Sequence, residues 1–137
     1  MDKHIVKTAH NSGMAFTATI NGHEIRMDTA DDGGTDSGPS PKRLMLAALA
    51  GCTGIDIVSI LSKMKVVFSH LQIDVEAGLT ADHPRIYRDV KISYSIKLPE
   101  ADRPKMVKAV NLSQEKYCGV SAMFRAFTKL DSEIVYL

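Results

Sequence analysis

SPKRLMLAALAGCTGIDIVSILSKM, residues 40–64, is the longest apolar stretch of the chain and decides its fold. Ser40 followed by Pro41 predicts a helix start, because serine caps a helix N-terminus and proline fits the first turn. Apolar side chains then fall on nearly every side of the helix axis. The uncharged core, from Leu44 to Ile55, is shorter than the ~20 residues that span a bilayer. We therefore expect a central helix that is wrapped by protein, with no membrane partner.

Cys52, the first of two cysteines, lies near the middle of this predicted helix, and Gly51 and Gly54 flank it. A glycine inside a helix costs roughly 1 kcal/mol relative to alanine. Two glycines within one turn therefore predict that another backbone approaches the helix closely at this point. Such an approach would bring a second segment near the thiol.

The composition excludes several classes of function. The chain has 137 residues, which is the size of one domain. Its net charge is +1 and it has no basic run, so nothing predicts a nucleic-acid partner. The first residues lack the apolar segment of a signal peptide, so we expect a cytoplasmic protein with reduced cysteines. Zinc-ligand spacing and the HExxH, GxGxxG and GxSxG motifs are absent, so we expect no metal and no cofactor.

The remaining elements alternate between period-two strands and amphipathic helices. Asn21-Gly22 is a strong hairpin signal and joins two strands of an N-terminal antiparallel meander. A second helix opens at Pro104 and runs to about Tyr117, and residues 120–127 form a short helix or a turn. The predicted strands cover residues 3–8, 14–20, 23–28, 66–79, 87–98 and 130–137.

These elements predict a single domain, residues 1–137, of the α+β class, in which an antiparallel β-sheet packs on the long central helix. A sheet this small covers only part of a helix that is apolar on all sides, so we expect a tight homodimer. The predicted parts are a β-meander at 1–39 that ends in a flexible loop, the central helix at 40–64, a β-hairpin at 66–98, and a second helix with a C-terminal strand at 103–137.

Each cysteine has two interpretations. Cys52 is either a small hydrophobe in a core helix, favoured at roughly three to two by composition, or a nucleophile. Asp56, one turn later on the same face, would raise the pKa of the thiol, so an activating cation would have to come from elsewhere. Cys118 is either a helix-terminating core residue or, if a helix follows it, a thiol at a helix N-terminus that favours the thiolate.

Two stretches together are similar to a known family. GPSPKRLMLAALAGCTGIDIVSIL, residues 38–61, and LSQEKYCGVSAMF, residues 112–124, resemble the OsmC/Ohr superfamily of osmotically inducible and organic hydroperoxide resistance proteins. The resemblance extends to the whole order of elements. Residues DIVSIL and EKYC look closest to the less characterised OsmC-like branch.

The resemblance implies a fold and a chemistry. Members of the superfamily are intertwined homodimers with two central helices and sites at the interface. Cys52 matches the peroxidatic thiolate, which attacks an organic hydroperoxide and becomes a sulfenic acid. Cys118 matches the resolving thiol, which condenses with it to a disulfide. A dithiol reductant then regenerates the pair, and in Ohr-type members this reductant is a lipoylated protein.

The chain departs from the peroxidase pattern at the start of the central helix. Peroxidase members carry a glutamate there that orients an arginine beside the cysteine, whereas Lys42 and Arg43 follow Pro41 here. Arg26 is the only arginine of the predicted N-terminal strands and is the candidate for the family arginine. Glu115, three residues before Cys118, is the candidate for the orienting acid.

Two functions remain open at this point. One is a thiol-dependent peroxidase that reduces organic hydroperoxides through Cys52 and Cys118. The alternative is a non-catalytic dimeric binding module or redox sensor, which would use an apolar pocket at the interface. The missing glutamate and the apolar surroundings of Cys52 favour the alternative, and the paired cysteine motifs favour the enzyme.

Overall fold

The computed structural model describes residues 1–137 and consists of two compact units, Met1–Met45 and Leu46–Leu137. The N-terminal unit is the predicted antiparallel meander of three strands, in the order β1-β2-β3. Asn21 and Gly22 form its tight turn with positive φ angles of 49° and 81°, as a two-residue hairpin requires. The first strand starts later than predicted. The strands are β1 (Lys7–His10), β2 (Phe16–Ile20) and β3 (His23–Met27).

The loop after β3, expected to be flexible, is held by the carboxylate of Asp28. This buried side chain accepts hydrogen bonds from the main-chain N–H groups of Thr29 and Ser37 and from the hydroxyls of Thr35 and Ser37. The hydrogen bonds from Ser37 contribute most, and together these donors hold the pKa of Asp28 well below its usual range. The loop has no regular element, as predicted, and the Asp28 carboxylate links Thr29, Thr35 and Ser37 within it.

The C-terminal unit contains a second three-stranded sheet, formed by β4 (Ser69–Leu79), β5 (Tyr87–Lys97) and β6 (Lys129–Tyr136) in that order. β4 and β5 are antiparallel, but β5 and β6 are parallel. The prediction of one antiparallel sheet is therefore wrong in two respects: there are two sheets, and one of them is mixed. The reason for the parallel pair is the long helical connection between β5 and β6, since parallel neighbours need such a crossover.

The central helix α1 runs from Pro41 to Lys63, close to its predicted bounds. One stripe of α1 is buried, and its members are four residues apart, as expected for one face of a helix: Leu49, Thr53, Ile57 and Leu61. This stripe packs on the inward side chains of β5 and on the next helix. The apolar members of this core are Val90, Ile92, Tyr94, Ile96, Met106, Ala109 and Val110.

The other faces of α1 are open in the single chain. Ile55 is 73% exposed and Val58 is 43% exposed. The small sheet covers a single face of the helix, as the sequence predicted, and cover of the other faces by a second copy stays a prediction. By length and apolar composition alone the helix would also qualify as a membrane span, but its packed stripe is that of a core helix.

Between β5 and β6 the chain forms a 3-10 turn (Glu100–Asp102), α2 (Arg103–Leu112), a π-helical turn (Ser113–Tyr117) and α3 (Gly119–Phe127). The α-helical pattern stops at Leu112, five residues before the predicted end. It stops because the N–H of Cys118 donates to the carbonyl of Ser113, five residues earlier, at 2.8 Å. A π-turn of this kind often occurs at functional sites, and here it delivers Cys118 to the start of α3.

Candidate thiol site

The two cysteines come together at the N-terminal end of α3. Cys52, in the middle of α1, is half-buried, whereas Cys118 is the N-cap of α3 and is 3% exposed. Sγ of Cys118 accepts the N–H of Ser121 at 3.3 Å. Cys118 and the main-chain N–H of Val120 lie near enough to Cys52 to act on the pKa of its thiol. Both free thiols therefore lie near the first turn of one helix.

The first turn of α3 favours negative charge on sulfur. Its main-chain N–H groups have no partner within the helix, and the helix dipole adds a partial positive charge. The N–H of Ser121 donates to Cys118 Sγ, and the N–H of Val120 acts to lower the pKa of the Cys52 thiol. The sequence predicted such a placement for Cys118 if a helix followed it, and the structure has that helix and places Cys52 there as well.

Cys52 nevertheless holds its proton firmly in the reduced site. Burial raises the pKa of its thiol above the ordinary value, and the hydrogen bond from Val120 opposes this rise. The neighbouring Cys118 and the carboxylate of Asp56 raise the pKa further, because like charges disfavour the ionised form. None of the groups that act on this thiol is a cation. Ionisation of Cys52 therefore requires positive charge or a proton acceptor that the reduced pair lacks.

A chain of buried and half-buried polar side chains lies beside the cysteines and is called the hydroxyl network below: Thr53, Asp56, Tyr94, Ser113 and Gln114. The Thr53 hydroxyl is 2.7 Å from both the Tyr94 and the Ser113 hydroxyls. The Ser113 hydroxyl donates to Asp56 Oδ2 at 2.9 Å. Gln114 Nε2 donates to the Tyr94 hydroxyl at 2.8 Å. The network thus joins α1, β5 and the π-helical turn.

The hydrogen bonds of the hydroxyl network have one donor order. A carboxylate only accepts, so the single proton of Ser113 is used on Asp56. Thr53 must then donate to Ser113, and Tyr94 must donate to Thr53. The Tyr94 oxygen, having given its own proton, accepts from the amide of Gln114. Asp56 therefore fixes the direction of every bond in the chain.

Tyr94 remains protonated in this arrangement. Burial raises the pKa of its hydroxyl, the hydrogen bonds with Thr53 and Gln114 oppose the rise, and the nearby Cys118 and Asp56 add to it. A neutral phenol is what the donor order requires, since the bond to Thr53 uses the phenolic proton. The raised pKa and the geometry of the network are therefore consistent with each other.

Sequence reasoning missed Thr53, Tyr94, Ser113 and Gln114 as site residues. One signal was available: Thr53 is the only polar member of the i, i+4 stripe that α1 buries. A buried hydroxyl needs a partner, which pointed to other polar groups facing this stripe. Nothing in the sequence identified those partners, because they come from elements 41 and 60 residues away.

The charged residues Arg26, Glu115 and Arg43 are not members of the hydroxyl network. Arg26 belongs to the N-terminal unit, where its Nε donates to the Ser37 hydroxyl at 2.8 Å. Glu115 is exposed on the π-helical turn and makes no hydrogen bond or ion pair. Arg43, at the start of α1, reaches back to the Ser40 hydroxyl at 3.4 Å. The roles predicted for Arg26 and Glu115 stay predictions.

The sequence predicted that another backbone approaches the helix closely at Gly51 and Gly54, and the structure does not have this approach. A Cβ at Gly54 would lie 2.9 Å from Cδ1 of Ile73 on β4, so the close neighbour there is a side chain and not a backbone. A Cβ at Gly51 would meet open space. An apolar groove of about 670 Å³ begins at these glycines and runs along the exposed face of α1. Its walls include Ile55, Val58, Leu71 and Ile73.

A second pocket, of about 470 Å³, lies further along α1 on the side of Asp56. Its charged wall residues are Asp56 and Lys63, and its apolar wall includes Ile60 and Leu112. No three His, Cys, Asp or Glu side chains come close enough together to hold a metal ion.

Comparison with known proteins identifies the family. Residues 34–133 match the family model described as OsmC-like protein. The chain belongs to this family, within the OsmC/Ohr superfamily, as its two cysteine motifs predicted. The protein YhfA of Escherichia coli (strain K12) is 31% identical over 112 residues, which are 81% of this chain and 81% of YhfA.

Solved structures share the fold over the full chain. A protein of Aquifex aeolicus VF5, described as hypothetical, aligns with a TM-score of 0.82 and 27% identity, over 100% of this chain and 99% of its own. The organic hydroperoxide resistance protein OhrB of Bacillus subtilis aligns with a TM-score of 0.64 and 18% identity, over 95% and 97%. At this identity the match to OhrB shows a shared fold and does not establish an activity for this chain.

Proposed function

We propose that this protein is a thiol-dependent peroxidase that reduces organic hydroperoxides through Cys52 and Cys118. The observation that carries the proposal is the placement of Cys118 at the N-cap of α3, with Cys52 near enough that Cys118 raises the pKa of its thiol. Cys52 is the more exposed of the two and is therefore the one that a substrate reaches. Family membership and the hydroperoxide resistance neighbours agree with this chemistry.

The reaction proceeds in three balanced steps. The Cys52 thiolate attacks the distal oxygen of ROOH, the O–O bond breaks, and the leaving alkoxide takes a proton, which gives ROH and a sulfenic acid at Cys52. The Cys118 sulfur then attacks the Cys52 sulfur, and water leaves as the disulfide forms. A dithiol reductant, such as a lipoylated protein, finally takes the two oxidising equivalents and restores both thiols.

The N–H groups of α3 support each step. They stabilise negative charge on Cys52 during attack and on Cys118 when the disulfide is reduced and a thiolate leaves. Because the raised pKa keeps Cys52 protonated at rest, the attack also needs a group that takes the thiol proton or adds positive charge. Arg26 is the candidate that we propose for this charge.

Thiol counting with matched variants tests the proposal. Reduced protein treated with cumene hydroperoxide should lose two thiols and form one cumyl alcohol per chain. Cys118→Ser should lose one thiol and yield a sulfenic acid that dimedone traps, whereas Cys52→Ser should lose none. Unchanged thiol counts in excess hydroperoxide would show that the protein is not a peroxidase.

We also propose that the protein is a homodimer built on the exposed face of α1. The apolar groove at Gly51 and Gly54, with Ile55 and Val58 in its wall, is an open apolar surface on the helix that carries Cys52. A second copy would cover it and would exclude water from the approach to Cys52, which strengthens electrostatic effects in the site. Sedimentation or light scattering would give the mass directly.

The same groove favours a second candidate function, a non-catalytic module that binds an apolar ligand and senses redox state. Its walls are apolar, and the raised pKa of Cys52 makes a slow thiol. Native mass spectrometry of protein purified from its own cells separates the two candidates. A retained acyl or lipid ligand on reduced protein supports the binding module, whereas a Cys52–Cys118 disulfide without ligand supports the enzyme.

A further inference from the structure

The hydroxyl network carries an inference that rests on the proposed pairing of the two cysteines. Thr53 follows Cys52 directly on α1, and its hydroxyl is 2.7 Å from that of Ser113. The carbonyl of Ser113 accepts the N–H of Cys118 at 2.8 Å. One residue, Ser113, thus contacts the Cys52 segment through its side chain and the Cys118 segment through its main chain.

We propose that Thr53 and Ser113 are positioning residues that hold the two thiols in register for disulfide formation, with Asp56 as the acceptor that anchors them. They touch neither substrate nor reacting atoms, and they act through the cysteine-bearing segments. The chemical step that they serve is the condensation of the Cys52 sulfenic acid with the Cys118 thiol, which forms the S–S bond and releases water.

Such positioning is needed for two reasons, the strict geometry of a disulfide and the unusual turn that leads to Cys118. A disulfide forms only when the two Cα atoms are within roughly 7 Å and the Cβ atoms face each other. Cys118 is delivered by a π-helical turn, a conformation that is rare and occurs mostly as a single turn within an α-helix. The bond from Thr53 to Ser113 supplies that support at the first residue of the turn.

Burial makes the hydrogen bond hard to replace. Thr53 and Ser113 have no exposed surface, so water cannot substitute for a lost partner. If either hydroxyl is removed, the other remains buried without its partner, which disfavours the closed arrangement. Asp56 completes the arrangement because it accepts the Ser113 proton, and this leaves the Ser113 oxygen free to accept from Thr53.

The dithiol–disulfide equilibrium in glutathione redox buffers tests the inference without any peroxide. Thr53→Val and Ser113→Ala should each lower the equilibrium constant for the Cys52–Cys118 disulfide about tenfold, the factor that one buried hydrogen bond represents. Thr53→Ser keeps the hydroxyl and should restore the wild-type constant. Ser132→Ala, at an exposed serine of β6, is the matched control and should change nothing.

Two substitutions of Asp56, which is only half-buried, provide a second test of the positioning role. Asp56→Asn retains an oxygen that accepts from Ser113 and should keep the equilibrium constant, whereas Asp56→Ala should lower it as Ser113→Ala does. Under excess hydroperoxide, Thr53→Val should also accumulate sulfinic acid at Cys52, because a slow condensation leaves the sulfenic acid open to a second oxidation.

The two proposals fail in different ways. Wild-type equilibrium constants in both Thr53→Val and Ser113→Ala would overturn the positioning role, whatever the protein does with peroxide. A wild-type protein that ignores hydroperoxide would overturn the peroxidase, whatever the glutathione equilibrium shows. Equal losses in Thr53→Ser and Thr53→Val would likewise overturn the positioning role, because the effect would then come from packing.

Discussion

Asp56 lies one helical turn beyond Cys52 on α1, and its carboxylate adds to the burial that raises the pKa of the Cys52 thiol. The same carboxylate anchors the hydroxyl network through Ser113. In the proposed reaction this acid therefore has two effects, because it helps to position Cys118 for disulfide formation and disfavours the Cys52 thiolate that attacks the hydroperoxide. The two effects are separable, since one depends on charge and the other on an acceptor oxygen.

Asp56→Asn should lower the pKa of Cys52, because the substitution removes a like charge and keeps the acceptor. The rate of Cys52 alkylation by iodoacetamide, followed against pH by mass spectrometry, should reach its midpoint at a lower pH than in the wild type. Cys118→Ser should shift the midpoint in the same direction, because Cys118 also raises this pKa. A midpoint that does not move in Asp56→Asn would show that the carboxylate does not act on the thiol.

Much of the fold was predictable because its signals are local. The start of α1 at Pro41 and the turn at Asn21-Gly22 follow from the chemistry of capping and of positive φ angles. The strand predicted over residues 87–98 matches β5, whose period-two pattern buries Tyr94. Each of these signals involves residues that are neighbours in the chain, so a sequence displays them directly.

The hydroxyl network and the parallel pairing of β6 were not predictable, because both depend on segments that only the fold brings together. Ser113 meets Thr53 across 60 residues of chain, and no local pattern marks the pair. The parallel pair follows from the path of α2 and α3, which returns the chain to the starting end of β5. The π-helical turn is likewise stabilised by tertiary contacts at Ser113, whose sequence neighbours favour an α-helix.

Asp28→Asn should make the N-terminal unit less stable at neutral pH, because the amide offers fewer acceptor sites to the four hydrogen bonds. The pKa of Asp28 is lowered in the folded state, so its contribution is fully present above its unfolded value of about 3.9. The contribution is lost as pH falls below that value. Urea unfolding between about pH 2 and 7 should therefore show a wild-type decline at low pH that is reduced in Asp28→Asn.

Asp31→Asn is the control for this measurement, because Asp31 is an exposed acid of the same loop. It should leave both the free energy of unfolding and its pH dependence close to the wild type. An Asp28→Asn protein whose stability declines with acid as steeply as the wild type would contradict the role of Asp28.

Ile55→Asp should convert the proposed homodimer into a monomer. Ile55 is the most exposed large apolar residue of α1, and a carboxylate buried without a partner at an interface is strongly unfavourable. Size-exclusion chromatography with light scattering gives the mass of the variant. Val107→Asp, on the exposed face of α2, should leave the mass unchanged, and a wild-type chain of monomeric mass would refute the dimer itself.

Gly54→Ala should have a small net effect on stability, because a gain of about 1 kcal/mol in helix propensity is opposed by crowding against Ile73. In an Ile73→Val background the crowding atom, Cδ1, is absent, and Gly54→Ala should then stabilise the protein by about 1 kcal/mol. Denaturant unfolding of the four proteins in this double-mutant cycle measures the coupling. Additive effects would mean that Ile73 does not restrict position 54.

The parallel pairing of β5 and β6 also sets an order of folding events. β4 and β5 are joined by a short turn and can pair early, since closing a short loop costs little entropy. β6 pairs with β5 only after the segments from Pro99 to Thr128 have folded back, so this edge of the sheet closes late. Until it closes, β5 presents an unpaired edge on which another chain can add. Slow refolding and association at high protein concentration are therefore expected to begin at β5.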